Sequence, residues 1–370
     1  MLYIYFKHPS ILASPDNFPG GYMKNVLSFQ NEKIVPHFKT FSRKPLQSTG
    51  FLTDKIERFN FQLKKIESDC HKPYADRETL YAELTAVCDS MLHTCTQFEQ
   101  LASDSAVIQA ARSSFHKRTH PMLSKSYFIN RCRTWPRGYY EDFELLEFLY
   151  KNSPLSDGIG YYLDKYFLAS NLGIEIRYRL TKMLELIQSE LSQRRAPKML
   201  DLGCGSGRLV CELAPEIHTS GARCSCLDLD PAALNFVSDR LGYVGLSDTA
   251  ELLTFNALRI IDSDTALKEF GMQDIICTLG YFDQLPDDFF VKLVRTLYRM
   301  LNPGGRSIFA VRNASFVRSN LYQWLVDWNA IHKRTRSDFD RLLQEANIPD
   351  STVSVVQSDS GALLFYTITK

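Results

Sequence analysis

A glycine-rich turn constrains the fold of this 370-residue chain more than any other feature. The turn, Asp201-Leu-Gly-Cys-Gly-Ser-Gly207, follows a short apolar strand pattern, Lys198 to Asp201, and precedes a helix pattern. Gly203, Gly205 and Gly207 let backbone N–H groups approach a ligand closely, and the N-terminus of the following helix carries partial positive charge. A strand, a glycine turn and a helix in this order predict a nucleotide-binding βα unit.

Two acidic residues lie where such a unit would hold its ligand. Asp201 ends the first strand pattern and suits a cationic ligand, whereas the same turn in dinucleotide enzymes meets a pyrophosphate. Asp228 lies near the end of the second strand pattern, Arg223 to Leu229, and 21 residues after Gly207. An acid at that place can accept hydrogen bonds from both ribose hydroxyls. The alternative interpretation is that Asp228 only caps the helix that follows.

Strand and helix patterns alternate from this turn to the end of the chain. This alternation predicts an α/β fold with a Rossmann-like, doubly wound and mainly parallel sheet. The last two strand patterns flank Ser358-Asp-Ser-Gly and predict an antiparallel C-terminal hairpin. The later strand patterns span 223–229, 251–256, 274–279, 306–311, 352–357 and 362–369, and the helix patterns span 172–193, 231–240, 289–300 and 337–346.

Two amphipathic stretches precede the α/β part, at residues 51–67 and 79–102. Their apolar residues recur mostly at spacings of three and four, which is typical of helices that bury one face. Together they predict an antiparallel helical hairpin that serves as scaffold, with a homodimer surface as a second candidate role. The apolar positions are Leu52, Ile56, Phe59, Leu63 and Ile66 in the first stretch and Leu80, Leu84, Val87, Met91, Phe98 and Leu101 in the second.

The segment that joins these two parts is unusually aromatic. Residues 127–178 hold 13 aromatic side chains in 52 positions, against 12% for the whole chain. A linker would be poor in aromatic residues, so this segment folds against something, either as a core between two domains or as a lid over a ligand. The candidate lid residues are Tyr139, Tyr161, Tyr162 and Tyr166, because aromatic faces attract a cationic ligand.

These patterns divide the chain into four parts. Residues 1–22 are rich in Pro, Gly and Ser without periodicity and are predicted to be a disordered extension, which makes Met23 an alternative start. Residues 23–120 are the predicted helical domain and residues 121–180 the aromatic-rich lid. Residues 181–370 are the predicted catalytic domain.

Composition narrows the expected partners. The chain has 43 Lys and Arg against 42 Asp and Glu, so it has no basic field for nucleic acid or for an anionic membrane. No apolar run approaches the roughly 18 residues of a membrane span. Its nine cysteines are scattered without metal-ligand spacing and predict reduced thiols in a cytoplasmic protein. We therefore expect a small-molecule ligand and no metal.

Four motifs, in order, resemble those of the class I S-adenosylmethionine (SAM)-dependent methyltransferases. They are Asp201–Gly207, Leu227-Asp-Leu-Asp-Pro231, Asp274-Ile-Ile-Cys277 and Leu301-Asn-Pro-Gly-Gly305, and the resemblance covers roughly residues 195–370. It implies SAM as co-substrate, with its methionine moiety at the glycine turn and its ribose at Asp228. The cofactor-binding residues that it implies are Asp201, Gly203, Gly205, Gly207, Asp228, Leu229, Asn256, Ala257 and Leu279. Asn256 stands where the family more often has an acid, and Leu301–Gly305 is expected to be a structural turn.

A narrower resemblance concerns the aromatic segment. It is similar to bacterial methyltransferases of the extracellular-factor 3-hydroxypalmitic acid methyl ester biosynthesis subfamily. The residues that carry this resemblance are Trp135-Pro-Arg-Gly-Tyr139, Asp142, Gly160–Phe167 and Asp327–Thr335. The subfamily has a glycine where this chain has Glu141, and often a tyrosine where it has Lys333. Some azetidine-2-carboxylate synthases also resemble the chain, and these cyclise the methionine part of SAM.

Three functions remain open at this point: a small-molecule methyltransferase in biosynthesis with a carboxylic acid as candidate acceptor, an intramolecular cyclase, and a non-catalytic binding module. Methyl transfer needs orientation and exclusion of water more than acid–base help. The candidate catalytic residues are therefore the four tyrosines, Arg137 as a clamp for a carboxylate, and Asp283 at the end of the fourth strand. Arg177 is a second candidate clamp.

Overall fold

The computed structural model describes residues 43–102, 104–316, 320–328 and 332–370, with side chains from residue 50 onward in the first helix. The predicted extension at residues 1–22 lies outside the described residues.

The first part of the described chain is helical. Helices α1 (Arg43–Cys70) and α2 (Arg77–Ala102) form the predicted hairpin, because their apolar side chains are buried in one common cluster. The prediction is wrong for Leu101, which lies in the last turn of α2 and is 70% exposed, so that the buried stripe ends at Phe98. The remaining helices of this part are α3 (Ser105–Leu123), α4 (Tyr127–Thr134), α5 (Phe143–Lys151) and α6 (Gly158–Ala169).

A seven-stranded sheet forms the second part. Its strand order is β3-β2-β1-β4-β5-β7-β6, in which β1 to β5 are parallel and β7 is antiparallel to both β5 and β6. This order confirms the predicted doubly wound sheet with an antiparallel C-terminal hairpin. The strands are β1 (Lys198–Leu202), β2 (Arg223–Asp228), β3 (Ala250–Thr254), β4 (Gln273–Thr278), β5 (Leu301–Arg312), β6 (Val353–Gln357) and β7 (Leu363–Thr369).

Helices cover both faces of the sheet. Side chains alternate along each strand, so Met199 packs in the core on one face and Leu200 in the core on the other. The predicted helices are confirmed with boundaries shifted by a few residues, whereas α11 was not predicted. The helices of this part are α7 (Asn171–Ser192), α8 (Arg208–Glu212), α9 (Ala214–Ser220), α10 (Pro231–Tyr243), α11 (Ser263–Phe270), α12 (Asp287–Met300) and α13 (Arg336–Glu345), with 3₁₀ turns at Ala257–Ile261, Tyr281–Gln284 and Asp350–Thr352.

The glycine pair near residue 304 differs from its prediction. Leu301–Gly305 was expected to be a turn between elements, but it lies inside β5 as an irregularity in the register with β4. Gln273 pairs with Leu301, whereas Ile275 already pairs with Arg306. The reason is that β7 supplies backbone partners here, since the Gly304 N–H donates to the Lys370 carbonyl at 2.7 Å.

The chain returns to the helical part after β5. A π-helical turn at Leu321–Leu325 buries Trp324 against Phe98 and Phe115, with ring centroids 6.1 and 5.5 Å apart. The indole N–H of Trp324 donates to Glu99 at 2.6 Å. This insertion fixes the helical part to the sheet beside the end of β5, and therefore beside the carboxyl edge of the parallel strands.

None of the helices in the described ranges has the length and apolar character needed to cross a membrane. Among those same residues no group of His, Cys, Asp and Glu is arranged to hold a metal ion, and all nine cysteines are free thiols.

Candidate functional site

The glycine turn between β1 and α8 has the backbone that glycine permits. Gly203, Gly205 and Gly207 have φ values of 68°, 55° and 63°, in the left-handed region. A Cβ atom on residue 207 would lie 2.6 Å from a methyl group of Val237, so only glycine lets α10 approach this closely. The N–H of Cys204 donates to the Leu227 carbonyl at 2.9 Å, which ties the turn to the end of β2.

Asp201 is buried at the carboxyl end of β1, where it is 1% exposed. Its Oδ1 accepts a long hydrogen bond from Cys277 Sγ at 3.7 Å, and its Oδ2 has no hydrogen-bond partner among the described residues. Burial raises the pKa of this carboxyl to about 7; the Cys277 hydrogen bond opposes the rise and the nearby Asp228 adds to it. A buried carboxyl with an unsatisfied oxygen beside a glycine turn is suited to a polar or cationic ligand.

Asp228 joins the end of β2 to the glycine turn. Its Oδ2 accepts the Gly205 N–H at 2.8 Å and its Oδ1 accepts the Asp230 N–H at 2.9 Å. Helix α10 is capped by Asp230, which accepts the Ala232 N–H, so the alternative that Asp228 caps this helix is wrong. Burial raises the pKa of Asp228, which the backbone donors oppose. Each carboxylate oxygen keeps a further lone pair for a ligand hydroxyl.

The other residues implied for cofactor binding lie along the same edge of the sheet. Leu229 follows β2 and Leu279 follows β4, and both are half-buried. Asn256 caps the 3₁₀ turn after β3, because its Oδ1 accepts the Leu258 N–H at 3.0 Å, and Ala257 is buried behind it. The side-chain oxygen of Asn256 is therefore engaged in capping, which leaves its amide N–H groups as the donors toward a base.

Residues 137–147, which we call the cover segment, lie across this edge. On the β2 side, Arg137 Nε contacts Asp230 Oδ2 at 2.5 Å and the Tyr139 hydroxyl donates to the same oxygen at 3.0 Å. Burial, with Asp228 and Asp230 nearby, raises the pKa of Tyr139 well above its ordinary value. Arg137 and Tyr139 thus reach the residues around Asp228 and Asp230, which we call the ribose corner because Asp228 is predicted to bind the ribose. Arg137 is already paired there with the Asp230 carboxylate.

The C-terminal end of the cover segment packs on the glycine turn itself. A Cβ on residue 205 would lie 3.6 Å from Leu146 Cδ1. Glu147 is 4% exposed and pairs with Arg240 at 2.6 Å and with Arg208 at 3.5 Å. These contacts join α5 to α8 and α10, the two helices that follow the glycine turn and the ribose corner.

Between these two contacts, the cover segment contributes Glu141 to a buried charge cluster beside β5. Glu141 contacts Arg312 Nη2 at 2.6 Å, and Arg312 Nη1 contacts Asp283 Oδ2 at 3.3 Å. Burial would raise the pKa of Glu141, but Arg312 and Arg179 lower it below its ordinary value. Burial raises the pKa of Asp283, and the same two arginines oppose the rise. Asp283 also accepts the Arg312 backbone N–H at 2.9 Å. In this structure Asp283 therefore binds both the backbone and the guanidinium of Arg312.

Three predicted lid residues are not at this edge, which corrects that part of the prediction. Tyr166 donates to Asp89 on α2 at 2.7 Å. Tyr162 is buried in the helical core, where Cys70 and Arg77 are among its neighbours, and the Tyr161 ring packs on it with centroids 5.2 Å apart. All three belong to α6, which packs against α1 and α2 rather than against the glycine turn.

Sequence reasoning also missed two side chains beside the turn. The Tyr281 ring lies against Gly203, since a Cβ there would be 3.7 Å from it. Arg177, the second candidate clamp, instead donates to the carbonyls of Leu149 and Leu168. Arg179 is 2% exposed, and its Nε and Nη1 have no hydrogen-bond partner in the part of the chain that the structure describes. The sequence feature related to Arg179 is Gly280, which follows β4. A Cβ on that residue would lie 2.6 Å from Arg179 Nη1, so a glycine is needed beside the guanidinium.

Comparisons with known proteins point to the same edge of the sheet. Residues 200–307 match the family described as "Methyltransferase domain", a range that begins inside β1 and ends inside β5. Over 156 residues, the chain is 25% identical to a protein from Methanobrevibacter smithii named "Probable cobalt-precorrin-6B C(15)-methyltransferase (decarboxylating)". That match covers 42% of this chain and 70% of the relative.

The comparison with solved structures gives two further matches. One is described as a possible exported protein from Bordetella parapertussis; it has 14% identity and a TM-score of 0.52, and the match covers 90% of this chain and 99% of that one. The other is magnesium protoporphyrin IX methyltransferase from Synechocystis PCC 6803, solved with bound SAH. Its identity is 11% and its TM-score 0.41, and the match covers 55% of this chain and 88% of that one.

The family match spans the strands and turns that build the edge described above, and the Methanobrevibacter relative carries the same activity in its name. Residues 200–307 thus match a methyltransferase domain, and the findings support a SAM-dependent methyltransferase of class I.

Proposed function

We propose that this protein transfers a methyl group from SAM to a small-molecule acceptor that carries a carboxyl group. One observation carries the proposal: Asp201 and Arg179 hold buried polar atoms without hydrogen-bond partners among the described residues, at the carboxyl edge of the sheet. Buried donors and acceptors are nearly always satisfied in folded proteins, so we infer that ligands satisfy these. A cationic group suits Asp201 and an anionic group suits Arg179.

The β1–β2 side of the edge fits SAM. The glycine turn brings backbone close to a ligand, Asp201 offers an acceptor to a cationic part, and Asp228 offers lone pairs to the ribose hydroxyls. Bound there, SAM supplies a methyl group activated by its sulfonium. The Tyr281 ring lies against Gly203 and the Tyr139 hydroxyl reaches Asp230, and aromatic faces stabilise a cation by about 0.5–2 kcal/mol each.

The cover segment restricts the acceptor to a small molecule. Ion pairs hold this segment at three places, to Asp230, to Arg240 and to Arg312, so a macromolecule would have to break them to reach the strand ends. A carboxylate is ionised at neutral pH and needs no base. The task left to the protein is then to orient the acceptor and exclude water, and the buried side chains of the cover segment provide an enclosure for this.

Mass spectrometry of reaction products tests the proposal. Purified full-length protein would be incubated with SAM alone and then with a panel of small carboxylic acids. We expect S-adenosylhomocysteine (SAH) to form only when an acceptor is present. It should appear together with a product in which a methyl group has replaced one hydrogen of an acid in the panel. Methylthioadenosine formed from SAM alone would identify the cyclase instead. Binding of SAM without turnover by any acid would identify a binding module, and either result overturns the proposal.

A further inference from the structure

Glu141 is held in an unfavourable backbone conformation. Its φ is 52°, in the left-handed region that a residue with a β-carbon seldom adopts. It lies in the irregular stretch between α4 and α5, where Trp135 and Gly138 also have positive φ values, of 49° and 82°. Such strain persists only where surrounding contacts hold the residue, and it is concentrated at functional sites. The contact that holds Glu141 is its ion pair with Arg312.

Only the side chain of Glu141 is directed inward. The side chain is 6% exposed, whereas the residue as a whole is half-buried, so its backbone lies at the surface. Its carboxylate contacts Arg312 Nη2 at 2.6 Å and accepts a hydrogen bond from the Gln284 side chain. The carboxylate of Glu141 therefore reaches a buried guanidinium from a position at the surface.

The residues on either side of Glu141 are anchored independently of it. Tyr139, two residues earlier, donates to Asp230 at 3.0 Å. Asp142, the next residue, caps α5 and is bound by Arg131 at 2.7 Å. A rotation of the Glu141 side chain alone would therefore free its guanidinium partner, while the rest of the cover segment stays in place.

The charges around Arg312 balance as long as a carboxylate occupies the place of Glu141. Arg312 Nη1 contacts Asp283 Oδ2 at 3.3 Å, and Arg179 Nη1 lies 3.7 Å from the same oxygen. Two acids thus face two arginines. Glu175 on α7 also faces them, but burial raises its pKa and favours its neutral form. Loss of the Glu141 carboxylate alone would leave a buried positive charge, whereas its exchange for a ligand carboxylate keeps the balance.

Arg179 gives an independent reason to expect a ligand carboxylate in this cluster. It is 2% exposed, and its Nε and Nη1 have no hydrogen-bond partner in the described ranges. Its charge helps to lower the pKa of Glu141, so the two groups lie close together. Glu141 is tied to its own backbone and leaves these donors unpaired. A free acid in the same place could turn toward both arginines.

We propose that Arg312 holds the carboxylate of the acceptor, and that Glu141 is an internal carboxylate which occupies this place until the acceptor displaces it. The exchange selects for acids, because a neutral molecule that displaced Glu141 would leave the charge of Arg312 buried without a partner. The inference rests on the proposed function and deepens it, since it names the residues that recognise the carboxyl group.

Thermal shift with acetate as the probe tests the exchange. Full-length protein saturated with SAH would be titrated with acetate at constant ionic strength, and with acetamide as the neutral analogue. An internal competitor reduces apparent affinity by the fraction of protein in which the site is free, so Glu141→Gln should bind acetate about tenfold more tightly than wild type, or better. Glu144→Gln removes a different acid of the cover segment, one that pairs with Arg131 and Arg137, and should match the wild type. Acetamide should change the Tm of none of them.

Two further variants assign the site to Arg312. Arg312→Lys keeps the charge without the planar fork, and added to Glu141→Gln it should reverse most of the gain in acetate affinity. Glu141→Gly suits the positive φ and gives the answer if Glu141→Gln does not fold. For any acid that the turnover assay shows to be methylated, Glu141→Gln should lower KM about tenfold. Loss of a merely structural ion pair would instead raise KM or lower kcat.

The proposal is overturned if Glu141→Gln does not respond to acetate, or if its acetate affinity equals that of the wild type. It is also overturned if acetamide acts like acetate, or if the KM of a methylated acid stays the same or rises in Glu141→Gln. In all these cases SAH would still form in the turnover assay. Failure of the proposed function would appear separately, as missing SAH with every acid, while acetate binding could still be measured.

Discussion

Replacing Asp201 by asparagine should remove a pH dependence from the stability of the ligand-free protein. Asp201 is 1% exposed, and its Oδ2 lacks a hydrogen-bond partner among the residues described. Burial raises its pKa to about 7, against roughly 3.9 for an aspartate in an unfolded chain. Asparagine has nearly the same shape but cannot ionise, so Asp201→Asn separates the charge from the packing.

The sign of the effect follows from which state holds the proton. Between these two pKa values the folded chain keeps a proton that the unfolded chain has released, so the free energy of unfolding falls as pH rises through this window. The fall ends above about pH 7, where both states are ionised. One pH unit inside the window corresponds to about 1.4 kcal/mol, so Asp201 lowers the free energy of unfolding by about 2–3 kcal/mol between pH 5 and pH 8.

Urea unfolding of both proteins at several pH values between 5 and 8 measures this difference. All other titrating groups are common to the two proteins, so the difference between their profiles isolates Asp201. The wild type should lose about 2–3 kcal/mol more than Asp201→Asn over this range. Parallel profiles would mean that Asp201 is already ionised in the folded protein at pH 5, and the argument from its burial would be refuted. SAM should stabilise the wild type more than the variant at pH 8, because a cationic ligand pairs with the carboxylate.

Three further predictions concern the same edge of the sheet. Asp228→Ala should weaken SAM binding by about 1.5–3 kcal/mol in calorimetry, because charged hydrogen bonds to the ribose are lost; an unchanged Kd in a folded variant removes Asp228 from the site. Tyr139→Leu should lower kcat about tenfold or more, and Tyr139→Phe should separate the effect of the ring from that of the hydroxyl. Tyr162→Leu, in the helical core, should leave kcat at saturating SAM unchanged. Equal kcat values in all three variants would limit Tyr139 to a packing role. Gly207→Ala should lower the free energy of unfolding in urea by about 2–4 kcal/mol, because it adds left-handed strain and a collision with Val237. Gly221→Ala adds the strain without such a collision and should cost about 1 kcal/mol. Equal losses in the two variants would contradict the packing argument.

The α/β part could be predicted from the sequence because local rules and the global fold agree there. The alternation of strands and helices fixes a parallel sheet, and parallel strands bring the ends of β1, β2 and β4 to one edge. The three glycines of the turn all take positive φ, so residue type alone indicated the backbone. For the same reason the sequence predicts Asp201 and Asp228 at this edge.

The aromatic segment could not be resolved in the same way. Its composition indicates that it packs, but not on which partner, and the two halves of the segment pack on different ones. Tyr139 lies before α5 and reaches Asp230, whereas Tyr162 and Tyr166 are four apart on α6 and turn the same face toward the helical hairpin. Of the four predicted lid tyrosines, Tyr139 lies at the carboxyl edge of the sheet, whereas the tyrosines of α6 pack in the helical part.

Arg179 shows a different limit of sequence reasoning. An acid followed four residues later by an arginine is the usual pattern of a solvent-exposed ion pair on a helix, which contributes little to stability. Glu175 and Arg179 follow that pattern, but α7 is covered here by the segment that carries Glu141 and by the insertion that carries Tyr322. Burial comes from chain segments far away in the sequence, so the pattern on α7 alone could not reveal it.

The two acids at the end of β2, Asp228 and Asp230, make different contacts that together connect the cover segment to the site. Asp228 accepts backbone N–H groups from the turn and from Asp230, which holds its carboxylate toward the place predicted for the ribose. Asp230, two residues later, caps α10 and binds Arg137 and Tyr139. The position of the cover segment is therefore set by the same corner that would hold the nucleotide. Glu141, two residues after Tyr139, is held by Arg312, and Glu147 at the end of the segment is held by Arg240. Asp230 is therefore the residue that joins the place predicted for the ribose directly to the cover segment.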